Sequence, residues 1–240
     1  MYRYDIHLHT KETSRCGYVK APELVSEYKR HGYTGICITD HLNEEDFITV
    51  LRCRDDWNAC VDQYMFGYNE AKKAGDAIGL TVMFGIELRF LENMNDYLIY
   101  GVDEDWLRAN PYINRMDHET FFKKYGGEVL IVHAHPCRNG DEFYPDCIHG
   151  LEIVNCNPRH DGKNEAALAL ARAYPNLIRV CGSDAHRPGD EGLAAVVPAE
   201  LVHDSFELKA VIESGRFKLW CPTFSEIIAE SEADLWGTTH

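Results

Sequence analysis

Histidine and carboxylate recur along this chain in short alternating pairs, and that spacing is what could do chemistry. Asp5-Ile6-His7-Leu8-His9, His133-Ala134-His135 and Ser183-Asp184-Ala185-His186 each set polar side chains two residues apart. On an extended strand, residues i and i+2 project from the same face. His7 and His9 then share one pocket, with Asp5 behind them. Thr39-Asp40-His41 and Gly85-Ile86-Glu87 add a further histidine and a further acid. A histidine taken singly is most often a packed or solvent-facing residue. His7, His9, His41, Glu87, His135, Asp184 and His186 taken together describe a multinuclear site of nitrogen and oxygen ligands. Such a set suits zinc, iron or manganese, and affinity order alone does not choose among them. Glu87 and Asp184 are its anionic members, and a carboxylate can bridge two cations. Water on such a cation loses a proton near neutral pH and can attack phosphorus or a carbonyl carbon. Two or three cations also neutralise charge that develops on a phosphate.

Each motif ends a run that reads as a strand. The strand candidates are Tyr4–Leu8, Gly35–Thr39, Leu80–Leu88, Tyr97–Val102, Val129–Ala134, Leu151–Asn155 and Leu177–Gly182, with Ala194–Val197 and Phe217–Trp220 weaker. Several are nearly all apolar, as strands buried on both faces of a parallel sheet are. Helices are expected between them at Ala21–His31, Val61–Ile78, His118–Tyr125, Lys163–Tyr174 and Phe206–Ser214, the first opened by Pro22 and stopped at Gly32. This α/β alternation predicts a βα barrel or an open parallel sheet. In a parallel barrel the strand C-termini line one mouth, where ligands distant in sequence meet. Asn43–Cys60, acidic and aromatic, is expected to cover the site as a lid, and Asp103–Asp117 to form a loop. With no strong linker before it, residues 1–222 read as one domain and 223–240 as an acidic C-terminal tail.

Bulk properties narrow the function. A chain of 240 residues that is 45% apolar can bury a sizeable core. A formal charge of −15 argues against a broad basic face for long nucleic acid, while short oligonucleotides and small phosphorylated substrates stay open. No apolar run is long enough to cross a bilayer, so no membrane partner is expected. The opening MYRYDIHLHT lacks the pattern of a signal peptide. The 9 cysteines are odd in number and form no CxxC pair, so free thiols and a cytoplasmic, reducing setting are expected. Lys11, Arg15, Arg89, Arg138, Arg159 and Arg187 stand near the motifs as phosphate-binding candidates. Arg138 and Arg187 lead, because each closely follows a ligand motif. Asp40 is placed either to protonate a leaving group or to orient His41.

Asp5-x-His7-x-His9-Thr10, Thr39-Asp40-His41, Gly85-x-Glu87, Ala134-His135-Pro136 and Gly182-Ser183-Asp184-x-His186, in that order, resemble the PHP (polymerase and histidinol phosphatase) family across roughly residues 1–200. The resemblance implies a distorted, TIM-like barrel of seven strands, with a centre of two or three divalent ions (Mn, Zn or Fe) at the strand C-terminal face. The activity it implies is phosphoester hydrolysis, on histidinol phosphate, nucleotides or short nucleic acids, and the leading expectation is attack by a metal-bound hydroxide on a small phosphorylated metabolite or nucleotide. It further implies His7, His9 and Asp184 at a first ion with Glu87 bridging, His135 and His160 at a second, and His41 and His186 at a third. Where many members carry another histidine or an acid, this chain reads Thr13-Ser14-Arg15-Cys16. Either Glu12 or Cys16 substitutes there, or the third ion is weakly held or absent. His133 is extra to the pattern, lining the pocket or holding a ligand in place. The alternatives are an exonuclease or phosphodiesterase acting on short oligonucleotides, and a metal-binding module without turnover. An amidohydrolase ranks lower, since that chemistry usually brings a metal-bridging lysine and another motif order.

Overall fold

The computed structural model describes residues 1–53, 55–138 and 142–236, so the last four residues of the expected tail lie outside the described residues. The strands are β1 (Tyr4–Asp5), β2 (Gly35–Ile38), β3 (His41–Leu42), β4 (Thr81–Phe84), β5 (Ile86–Arg89), β6 (Asp96–Tyr100), β7 (Leu130–His133), β8 (Gly150–Asn155), β9 (Ile178–Gly182), β10 (Ala195–Pro198) and β11 (Phe217–Trp220). The helices are α1 (Ala21–Arg30), α2 (Glu44–Asp46), α3 (Trp57–Ile78), α4 (Glu104–Ala109), α5 (His118–Tyr125), α6 (Asn164–Ala173), α7 (Ser205–Ser214) and α8 (Ser225–Trp236). The fold is mixed α/β. The strands form one sheet in the order β11-β10-β1-β2-β4 and another in the order β3-β5-β6-β7-β8-β9.

The two sheets are stitched together along two seams. On one, β2 leads into β3 and β4 into β5, with Gly85 N donating to Ile38 O (2.8 Å) and Glu87 N to Asp40 O (3.1 Å). On the other, Leu8 bridges Ala185 in parallel, Asp184 N donates to His7 O (2.8 Å) and His9 N to Ala185 O (3.0 Å). One buried cluster draws Ile6, Cys37, Met83, Leu98, Val132 and Val180 from both sheets.

Strand direction departs from the all-parallel reading. β5 pairs antiparallel with β6, and β6 with β7. The six residues between β5 and β6 are too few for the crossover that a parallel pair needs. β10 is likewise antiparallel to β1 and to β11.

Three segments carry more structure than expected. Asn43–Cys60 is not a lid: Phe47 and Trp57 stack edge to face (5.9 Å) and, with Leu51, sit in the largest core cluster. Within it Cys53 and Cys60 form a disulfide, their Cα atoms 5.1 Å apart. The expectation of free thiols missed it, because the pair meets through the left-handed turn at Arg52 that feeds α3 and not through a CxxC pattern. In the expected loop at 103–117, Asp103 accepts from Trp106 N and caps α4. Residues 225–236 are helical, and Ile228 and Ser231 are buried. Among the described residues no helix is long and apolar enough to cross a membrane.

Candidate metal centre

The ligand-type side chains collect at strand ends and on the short strands β3 and β5. β1 delivers His7 and His9 just past its last residue, β3 opens on His41, β5 carries Glu87, β7 leads to His135 and β9 to Asp184 and His186. Two of these positions have left-handed backbone, His135 (φ 30°) and Asp184 (φ 52°). That region is costly for side-chain-bearing residues and concentrates at functional sites.

Four imidazoles converge on one carboxylate. Glu87 Oε1 lies 3.3 Å from His7 Nε2 and 3.1 Å from His135 Nε2. Glu87 Oε2 lies 3.2 Å from His9 Nε2 and 2.7 Å from His41 Nδ1. Asp184 Oδ1 is 3.4 Å from His7, 3.3 Å from His9 and 3.3 Å from His186. The donor atoms fall into overlapping groups: His7, His9 and Asp184; His7, Glu87 and His135; His9, His41 and His186; His41, Glu87 and Asp96. The set fits divalent cations on a simple test. His7 Nε2, His9 Nε2, His41 Nδ1 and Glu87 Oε2 are buried and make no hydrogen bond of proper geometry among the described residues. Buried polar atoms normally find a partner, and these four point at one another.

Around them lies a frame of hydrogen bonds. His7 Nδ1 meets Glu152 Oε1 at 2.8 Å, while Glu152 Oε2 accepts from His135 N (2.8 Å) and Asn155 Nδ2 (2.9 Å). Fixing Nδ1–H on a carboxylate leaves Nε2 to face the cluster, as in metal-bound histidines. Asp5 accepts from Tyr28 OH (2.7 Å), from the Ser183 hydroxyl and from Ser183 N (3.2 Å), so it ties β1 to β9 beneath the site.

The electrostatics are settled inside the cluster. Burial alone pulls His7 down, yet Glu152, Asp184 and Glu87 outweigh it and hold His7 well above the ordinary histidine range. Burial works upward on Glu87, and the charges of His41 and His7 hold it well below the carboxylate range. His9 is driven down by burial and then by His186 and His41, which crowd it with like charge.

The remaining sequence candidates divide. Arg138 joins the site, donating to Asp184 Oδ2 (2.9 Å) and Asn155 Oδ1 (2.5 Å). Asp40 is buried and its oxygens accept from Thr10 N, Thr10 Oγ1 and Ser14 Oγ, each at 2.7 Å. It braces the loop after His9. Burial pushes it up to about 6 against those hydrogen bonds. Arg187 is exposed and lies over the Tyr18 ring (4.6 Å), next in the chain to His186. His160 is also exposed and belongs to none of the converging groups among the described residues; it lines the cleft next to them. Arg15, Arg89 and Arg159 are paired with Glu45, Asp96 and Asp190. His133 is buried against Tyr97 and Phe143, behind the site.

Three contributors were not foreseen. Asp96 opens β6, and because β6 runs antiparallel its first residue, not its last, stands level with Arg89 at the end of β5. Glu152 and Asn155 lie in a strand read only as core. A charged residue in that otherwise apolar run was the signal available.

A PHP domain model matches residues 5–212. The chain belongs to the PHP domain family. Among solved structures, a two-domain protein from Bacteroides vulgatus containing a predicted PHP-like metal-dependent phosphoesterase aligns with a TM-score of 0.64 and 16% identity, over 96% of this chain and 69% of that one. An amidohydrolase from Chromobacterium violaceum, solved with bound sulfate and no metal, aligns with a TM-score of 0.54 and 14% identity, over 93% and 99%. At such identities the likeness is one of fold. No curated protein matches the sequence.

Proposed function

We propose that this chain is a metal-dependent phosphoesterase acting on a small phosphorylated metabolite or nucleotide. The observation that carries the reading is the pair of buried carboxylates, Glu87 and Asp184, each met by several imidazole nitrogens at ion-pair distance. Two or three divalent cations, of manganese, zinc or iron type, would be held by His7, His9, His41, Glu87, His135, Asp184 and His186. When bound, such ions supply Lewis acidity and an activated water nucleophile. Asp96 adds a further oxygen at the Glu87 and His41 side, while the exposed His160 is left for substrate or for a rearranged second site. A seven-stranded barrel belongs to the same proposal, supported by the backbone bonds that join the two sheets along both seams.

The chain's own residues supply orientation. Glu152 fixes the ring of His7, and Arg138 presents a planar fork beside Asp184 that suits a phosphate oxygen. A cleft of about 1110 Å³ opens alongside, lined by Asn155, Asn157, His160, Lys163 and Phe224, roomy enough for a small ligand.

The test is release of inorganic phosphate by purified, Mn²⁺-supplemented protein across sugar phosphates, histidinol phosphate, mononucleotides and 3′,5′-bisphosphates. A matched aryl monoester and diester are run beside them. Chelator-sensitive release from one class is expected. Full activity and full metal content in both Asp184→Asn and His9→Ala proteins would sink the assignment. Turnover of the diester alone moves it to phosphodiester cleavage, and no turnover by metal-loaded protein moves it to a non-catalytic role.

A further inference from the structure

Cys16 lies at the edge of the centre, and the proposed function leaves it unused. Its Sγ is 3.0 Å from His186 Nε2, and His186 converges with His41. Those two histidines form, with His9, one of the converging groups. His9 Nε2, fully buried and without a hydrogen-bond partner among the described residues, is aimed into the same group.

The turn that carries Cys16 is built to hold it there. Ser14 N donates to Thr10 O (3.1 Å) and Gly17 N to Ser14 O (3.0 Å), closing residues 10–17 into a tight hairpin of chain. Gly17 is required by that closure, since a Cβ on it would stand 2.3 Å from Thr10 O. On one side of Cys16, Ser14 Oγ accepts from His41 N (3.0 Å). On the other, Tyr18 N donates to His186 O (2.8 Å). The thiol is thereby fixed between backbone ties to the same two histidines. Glu12, the rival on sequence grounds, is committed elsewhere: its Oε2 accepts from Ala21 N at the start of α1 (3.0 Å).

We propose that Cys16, as a thiolate, completes a cation site with His41 and His186, and that this makes the outer part of the centre prefer sulfur-seeking ions. The proposal rests on the metal-centre reading above. As the S–metal bond forms, the thiol proton leaves to solvent and no redox change is needed. A soft thiolate favours zinc, iron(II) or cobalt(II) over manganese or magnesium, which prefer oxygen.

Cobalt titration of the metal-free full chain reads this directly. The wild type is expected to develop a near-ultraviolet sulfur-to-cobalt charge-transfer band. Cys16→Ser should lose that band, keep the visible bands of cobalt on the remaining histidines, and hold one zinc fewer per chain after dialysis. Cys16→His should regain the zinc but not the sulfur band. Cobalt binding to wild type without the band overturns the assignment, and so does a band or zinc content unchanged in Cys16→Ser. A chain that binds no cobalt at all overturns the metal centre itself, which keeps the two failures apart. The wild-type spectrum needs no variant, so a misfolded mutant does not block the test.

Discussion

Glu152 shows how much of this site depends on side chains that would never touch an ion. Its Oε1 faces His7 Nδ1, and its Oε2 serves two donors, His135 N and Asn155 Nδ2. Glu152→Gln keeps the shape but turns an NH₂ toward one of those partners. Loss of such an outer partner typically costs ten- to hundredfold in metal affinity, so chelator competition should show a drop of that order. Arg138 is the second case. Its fork spans Asp184 and Asn155, and a lysine, as a point charge, cannot span both. Arg138→Lys is expected to raise KM for the phosphorylated substrate about tenfold, the worth of roughly one charge-assisted hydrogen bond. His118 lies outside the site, buried against Phe90, Tyr97 and Tyr144. Burial holds it down at about 4, against the Cys147 backbone and Asp117. Its folded value is below the unfolded one, near 6.5, so the unfolded chain takes up the proton first as pH falls. Stability is then fully present above about 6.5 and declines as pH drops toward 4. His118→Phe should flatten that decline in urea melts at pH 7 and pH 5; equal slopes in both proteins would refute it.

At the scale of elements, Gly67 in the middle of α3 is the telling position. In an ordinary helix Gly→Ala gains about 0.5–1 kcal/mol. Here a Cβ would meet Thr10 Oγ1 at 2.1 Å and Thr13 Oγ1 at 2.7 Å, the loop that Asp40 braces just after His9. Gly67→Ala should therefore destabilise the fold by about 1–3 kcal/mol, the usual cost of overpacking, seen as a lower urea midpoint, and should loosen metal binding as well. The elements themselves were legible to different degrees. Strands such as Gly35–Ile38 and Leu130–His133 announce themselves because both faces are apolar, and the ligand pairs follow from a period of two. Direction was not legible, since β-branched runs look alike whichever way they pair. That one ambiguity hid Asp96. The Asp103 cap of α4 and the core role of Phe47 and Trp57 were overlooked for a different reason: acidic neighbours masked buried aromatics, and a short helix shows too little periodicity to declare itself.

For the whole molecule, bound cations act as ligands of the folded state alone. At a hundred to a thousand times the dissociation constant they contribute about 3–4 kcal/mol. In a chain of this size each kcal/mol moves Tm by about 2–4 °C. Stripping metal with chelator should lower Tm by roughly 6–16 °C, and added Mn²⁺ or Zn²⁺ should restore it. An unchanged Tm would mean that the folded chain holds no ion tightly. The −15 charge bears on substrates at this scale. Repulsion of polyanions should make a mononucleotide or dinucleotide a better substrate than a long strand, a gap that narrows as salt screens it.

The bridge from Leu8 to Ala185 also sets an order of events during synthesis. Closing so long a stretch of chain costs about 5 kcal/mol in entropy before any contact offsets it, and distant pairings of this kind form late. His7, His9, His41, Glu87 and His135 leave the ribosome roughly 50 to 180 residues before Asp184 and His186. A nascent chain thus carries four imidazoles and one acid of the centre with no closing strand, open to whichever ion is most abundant. The ion that occupies the finished protein can then record availability at birth rather than equilibrium preference. Refolding the chain in a defined zinc and manganese mixture, and separately adding that mixture to folded metal-free protein, should give different metal contents. Identical contents would show that the folded protein exchanges ions freely and keeps no such record.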